Sequence, residues 1–201
     1  MPQTPLDTPA PPSPATTPRT PLGRGEWVAA AIDTLAEQGI DGLRIEALAR
    51  RCGVTKGSFY WHFRDRRDLA EAVLAEWQAG RLADLNHPDD VSADEAQTLL
   101  RDIVDRYATR RNRRGMAIEL AIRDWARRDE QAATVVEAVD HARLEGARHL
   151  LLRCGVQASE AKARSLLLYA YIFGQTMMLC DGYDADIGAL RHQIANKLIS
   201  P

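Results

Sequence analysis

The stretch RIEALARRCGVTKGSFYWHF, Arg44 to Phe63, decides how the rest of the chain is read. Ile45, Leu48, Ala49 and Cys52 fall at i, i+3, i+4 and i+7, the spacing of one buried helix face. Gly53 breaks that pattern where a tight turn needs a residue tolerant of unusual backbone angles. Val54 is apolar and suited to plugging the elbow between two helices. Thr55 stands where an N-cap belongs, and Phe59 and Phe63 repeat at i and i+4 on a second, shorter helix. The layout is a helix-turn-helix, in which the second helix is carried into a DNA major groove.

The other face of that second helix carries hydrogen-bonding groups. Thr55, Lys56, Gly57 and Ser58 crowd its N-terminal end, where such helices meet base edges and phosphates. Lys56 can bond guanine or phosphate, Gly57 allows close backbone approach, and Ser58 is short enough to bond at contact distance. Tyr60, Trp61 and His62 add a phenol, an indole N–H and an imidazole, each able to reach a phosphate oxygen. The plain alternative is that Tyr60 and Trp61 are half-buried packing residues.

GVTKGSFYWHFRDRRDL, with EWVAAAIDTLAEQGIDGLRIEALARRC before it, resembles the DNA-binding head of the tetracycline-repressor (TetR) family of bacterial transcription regulators. The likeness covers roughly Arg24 to Trp77. It implies an all-α fold with a three-helix head and a C-terminal helical bundle for ligand binding and dimerisation. It also implies a homodimeric repressor that leaves a palindromic operator when a small molecule binds. Arg66 matches a family position, usually Lys, whose amine meets a phosphate at a helix N-terminus. Arg44 departs from the family's usual Thr or Ser; it lacks the capping hydroxyl but is itself long enough to reach a phosphate.

Composition agrees. The net charge of the 201 residues is only −2, yet between Arg44 and Arg67 seven basic residues face only Glu46 and Asp65. A basic patch on a mildly acidic chain is the footprint of a modest DNA binder, although a solvated helix face reads the same way. Cys52, Cys154 and Cys180 are odd in number and far apart, which argues against a disulfide framework and for a reducing cytosol. No CxxC or HExxH occurs, so neither a metal nor any other cofactor is expected. The most apolar run, Leu166 to Cys180, falls short of the roughly 20 residues of a spanning helix. With no signal peptide visible, the expectation is a cytoplasmic protein.

Residues 1–22 hold eight of the ten prolines and read as a disordered tail. Residues 23–68 read as the head and 69–201 as the regulatory domain. A first helix near 25–38 carries Trp27, Val28, Ala31, Ile32 and Leu35 inward. A fourth opens at Arg64–Asp68 and is followed by a loop at 86–90. Further helices are expected near 92–112, 115–127, 129–153, 159–181 and 186–199. Asp129 and Ser159 are their expected N-caps. Ala161, Leu166, Ala170 and Phe173 form the expected inward face of the fourth of these.

The segment 166–180 is apolar nearly all round, which suits a helix shared between the core and a partner subunit. The last helix, with Ile187, Leu190, Ile194 and Leu198, would complete a four-helix dimer interface. Tyr107, Met116, Ile122, Trp125, Tyr171, Phe173, Met177 and Met178 are the candidates for a ligand pocket. No ring of buried charges is evident in the sequence, which points to a moderately apolar effector. Two other classes were weighed. A regulator answering to a protein partner or to thiol oxidation fits the same head. An enzyme needs a convergent acid, base or nucleophile, and His141 and His149 on one polar helix supply no such set.

Overall fold

A computed structural model describes residues 22–85, 90–108 (side chains to 106), 113–178 and 182–200. The expected tail but for Leu22, the expected loop at 86–89, Cys180 and the side chain of Tyr107 lie outside the described residues. Among the described residues the architecture is all-α, with helices α1 (Arg24–Gln38), α2 (Ile45–Cys52), α3 (Lys56–Phe59), α4 (Arg66–Ala83), α5 (Ala93–Ala108), α6 (Arg113–Ala126), α7 (Glu130–Arg153), α8 (Ala158–Met177) and α9 (Ile187–Ile199). A short 3₁₀ turn, Ile40–Gly42, links α1 to α2.

Local chemistry sets the boundaries. Asp65 caps α4 by accepting from the Asp68 amide at 2.9 Å, and Asp129 caps α7 through Ala132 at 2.9 Å. Ser92 and Glu95 bond each other's backbone amides ahead of α5, a full capping box. Ser159 does not cap α8; the N-cap is Gln157, and Ser159 lies inside the first turn. The fourth helix starts at Arg66, with Arg64 and Asp65 ahead of it.

Two apolar clusters fill the molecule. The first joins α1–α4 to α6 and the N-terminal half of α7: Trp27, Leu35, Leu48, Phe59, Phe63 and Leu69 pack with Ile118, Ile122, Ala132 and Val139. The second joins α5, the C-terminal half of α7, α8 and α9, around Leu100, Leu151, Leu168, Ile172 and Ile199. The core of the head therefore runs across the boundary expected at residue 68 into α6 and α7. The Arg114–Asp33 ion pair at 2.5 Å ties α6 to α1 at the same seam.

Where α7 passes from one cluster to the other, it carries Arg143, only 2% exposed. Its guanidinium meets the buried carboxylate of Glu119 at 2.8 and 3.0 Å. Arg123 bonds Glu119 at 3.0 Å and Asp140 at 2.5 and 2.8 Å. The absence of buried charges expected from sequence is thus corrected. Glu119 and Arg143 sit in stripes of Ala, Ile and Val, and each neutralises the other instead of facing water.

Candidate nucleic-acid interface

The elbow forms because α2 ends in a left-handed residue. Gly53 has φ 66°, and beyond it the Val54 amide reaches back to the Ala49 carbonyl at 2.9 Å. Phe59 then anchors α3. It lies edge-on to Trp27 at 5.3 Å and stacks on Phe63 at 5.4 Å, while the Arg24 guanidinium covers Phe63 at 4.6 Å. With Phe59 and Phe63 held inside, Lys56, Gly57, Tyr60 and Trp61 are turned outward.

Helix α3 proper stops at Phe59, so Tyr60, Trp61 and His62 occupy the turn that follows it. Tyr60 is 51% exposed and Trp61 87% exposed. Trp61 is therefore not a packing residue within this chain, and Tyr60 gives only one edge to Phe59. Arg44, Thr55, Lys56 and Gly57 are exposed beside them, and His62 is half-buried. Thr55 holds the N-cap position without a side-chain capping bond.

Two of the expected contacts are placed differently. The Ser58 Oγ is shut from solvent without a hydrogen-bond partner, since its position next to Phe59 turns it under the helix. Arg66 extends back across the head, where its Nε donates to the Leu43 carbonyl at 2.7 Å and its Nη2 to the Ile40 carbonyl at 2.5 Å. It braces the 3₁₀ turn, because those carbonyls belong to the turn's first residue and to its C-cap.

Electrostatic partners within the head were not legible from spacing. Lys56 Nζ lies 2.5 Å from Glu46 Oε1, and Arg51 forms a bidentate pair with Glu37 at 2.5 and 2.7 Å. The Lys56 hydrogen bond, with its positive charge, holds the Glu46 carboxyl below the usual range; the same bond raises the Lys56 amine. Burial pushes the Cys52 thiol up, and likewise Cys154.

The proposed pocket residues are divided between the two clusters. Ile122 and Trp125 belong to the first, Tyr171 and Phe173 border the second, and Met116 is buried. Phe173 lies beneath the Arg123 guanidinium at 4.2 Å. Met177 and Met178 are 73% and 64% exposed, on the outer side of α8 and its end.

This geometry defines a helix-turn-helix head fused to a helical bundle. Residues 28–73 match the family described as bacterial regulatory proteins, tetR family. It is 51% identical over 53 residues to the class A tetracycline repressor protein of transposon 1721 from Escherichia coli, covering 24% of each chain. With the class D tetracycline repressor protein of Escherichia coli it shares 33% identity over 118 residues, 58% of this chain and 51% of the repressor. The chain thus spans between a quarter and half of the length of these curated relatives. The solved structure of a TetR-family member from Streptomyces coelicolor A3 aligns with a TM-score of 0.61 at 25% identity, covering 89% of this chain and 98% of that one. The two curated relatives are named as repressor proteins. No helix among the described residues is long and apolar enough to cross a membrane.

Proposed function

We propose that the protein is a cytoplasmic, sequence-specific DNA-binding transcription regulator: a homodimeric repressor that leaves a palindromic operator when a small molecule binds the regulatory domain. The observation that carries this reading is the exposed Tyr60–Trp61 pair beside Lys56 and Gly57, on the segment that matches the family. A large indole left in water has no stabilising role in the free chain, whereas against a phosphate strand its N–H and ring both find partners.

Arg44, Thr55, Lys56, Gly57, Tyr60, Trp61 and His62 are the contacts we assign to DNA, with Arg66 as the brace behind them. Two heads related by a two-fold would enter successive major grooves about 34–36 Å apart or more. Residues 23–68 serve as the reading head and residues 69–201 as the regulatory and dimerising part. An effector acts only through its different affinity for the two head spacings. Control through Cys52 or Cys154 is disfavoured by their raised thiols, which keep the reactive thiolate scarce.

The test is selection of bound duplexes from a random pool with purified protein at fixed salt. Enrichment of one palindrome is expected. Weak, salt-sensitive binding with no enriched sequence would remove the regulator reading.

A further inference from the structure

Between the head and the body lies a cavity of about 770 Å³, walled by α1, α4 and α6. That volume is in the range of small-molecule sites. Its apolar lining is Val28 and Ile32 from α1, Ala72 from α4 and Ile118 from α6. Trp77 and Arg81 of α4 also line it. They stand four residues apart, one helical turn from each other on the same face.

Both present a buried donor with no hydrogen-bond partner: the Trp77 indole Nε1 and the Arg81 Nε. Trp77 is 4% exposed, so water does not reach its N–H either. A buried donor left without a partner keeps its full desolvation cost, and two in adjacent turns beside a cavity call for a common acceptor. Arg81 has an ion-pair partner, Asp84, at 3.6 Å, but through Nη1, on the other side of its guanidinium from the unmade bond. Of the acids on the α4 wall, Asp68 pairs with Arg64 and Glu71 with Arg67, and Glu76 is exposed to solvent.

We infer that this cavity is a binding site for an apolar carboxylic acid. One carboxylate oxygen takes the Trp77 N–H and the other the Arg81 Nε–H, while the apolar body lies on Val28, Ile32 and Ile118. A molecule so placed touches the head on α1 and the body on α6 at once, across the seam that Arg114 and Asp33 close. This site is separate from the pocket residues assigned to α5–α8, and its existence does not depend on DNA binding.

The probe is 1-naphthylacetate, with 1-naphthaleneethanol as its neutral counterpart, titrated into the full chain. Binding is followed by calorimetry and by the indole N–H resonances of the four tryptophans. The Trp77 resonance is assigned by its loss in Trp77→Phe. Saturable binding that moves the Trp77 resonance is expected, with the alcohol at least about tenfold weaker, the worth of one charged hydrogen bond. Trp77→Phe should weaken the acid by about tenfold. Ala75→Phe, at an exposed position of the wall, should abolish binding without lowering the melting temperature. An unmoved Trp77 resonance, equal affinity for acid and alcohol, or unchanged binding in Ala75→Phe would each overturn the assignment.

Discussion

At Gly57, a Cβ would meet nothing closer than the Thr55 hydroxyl oxygen at 3.7 Å, ordinary contact. Its φ is not positive either. Nothing inside the protein requires glycine there, and glycine in a helix costs roughly 1 kcal/mol against alanine. The requirement must come from something that approaches from outside. Gly57→Ala should therefore stabilise the head by up to about 1 kcal/mol in urea unfolding. The same variant should bind the operator more weakly; tighter or equal binding would mean that DNA does not approach this backbone. Glu46 gives the complementary case. Its carboxylate engages the Lys56 amine and places a negative charge beside the DNA-facing end. Glu46→Gln should raise affinity for any duplex by several-fold, a gain that vanishes when Lys56→Ala is added. A gain that survives the second change would show that Lys56 meets no phosphate.

At the scale of elements, α7 shows best what could be read in advance and what could not. Its apolar face was legible from the helical spacing of Ala132, Val135, Val136, Val139, Ala142, Leu150 and Leu151, all buried except the half-buried Val135 and Ala142. Arg143 was not, because an arginine on that face reads as solvated until its partner, 24 residues away on α6, is seen. The helix-turn-helix was readable for the opposite reason, its determinants being contiguous. The inward face expected for α8 holds only in part: Leu166 and Ala170 are exposed, and Ser165, Leu168 and Ile172 point inward. Periodicity cannot choose a face on a helix that is apolar all round. For the Arg143 layer, Arg143→Met should cost about 3 kcal/mol, the low end for a broken buried pair, because Arg123 still reaches Glu119. Adding Glu119→Leu should restore most of that loss. Burial pushes the Glu119 carboxyl up, but its bonds and charges from Arg143 and Arg123 outweigh this and hold it low. The stability it contributes is thus complete above the ordinary carboxylate range and is lost as pH falls through its depressed value. On acidification the melting temperature of the double variant should fall less steeply than that of the native chain. Parallel curves would deny Glu119 that role.

The whole molecule leaves one apolar surface uncovered. Leu166 and Leu167 are 59% and 56% exposed, and Met177, Met178 and Tyr183 are more exposed still. They lie along the outer side of α8 and just beyond it, and Ile194 of α9 is also partly bare. Single exposed leucines are ordinary, but a run of large apolar side chains along one helix is what a partner surface presents. The inner face of α8 is already buried against α7 and α5, so the dimer partner proposed above would meet α8 from the outside. Such an assembly would hold two heads at one distance, and operator affinity would then depend on both engaging together. Leu166→Glu combined with Leu167→Glu puts two like charges on each side of that two-fold contact. Sedimentation velocity should show a monomer, with the helical content and the fold of the head retained. Operator affinity should fall by about a hundredfold or more, since each head would then bind alone. A variant that stays dimeric would place the interface elsewhere. One that becomes monomeric yet binds the palindrome undiminished would mean that each head reads its half-site alone, and the spacing between heads could not then be what an effector controls.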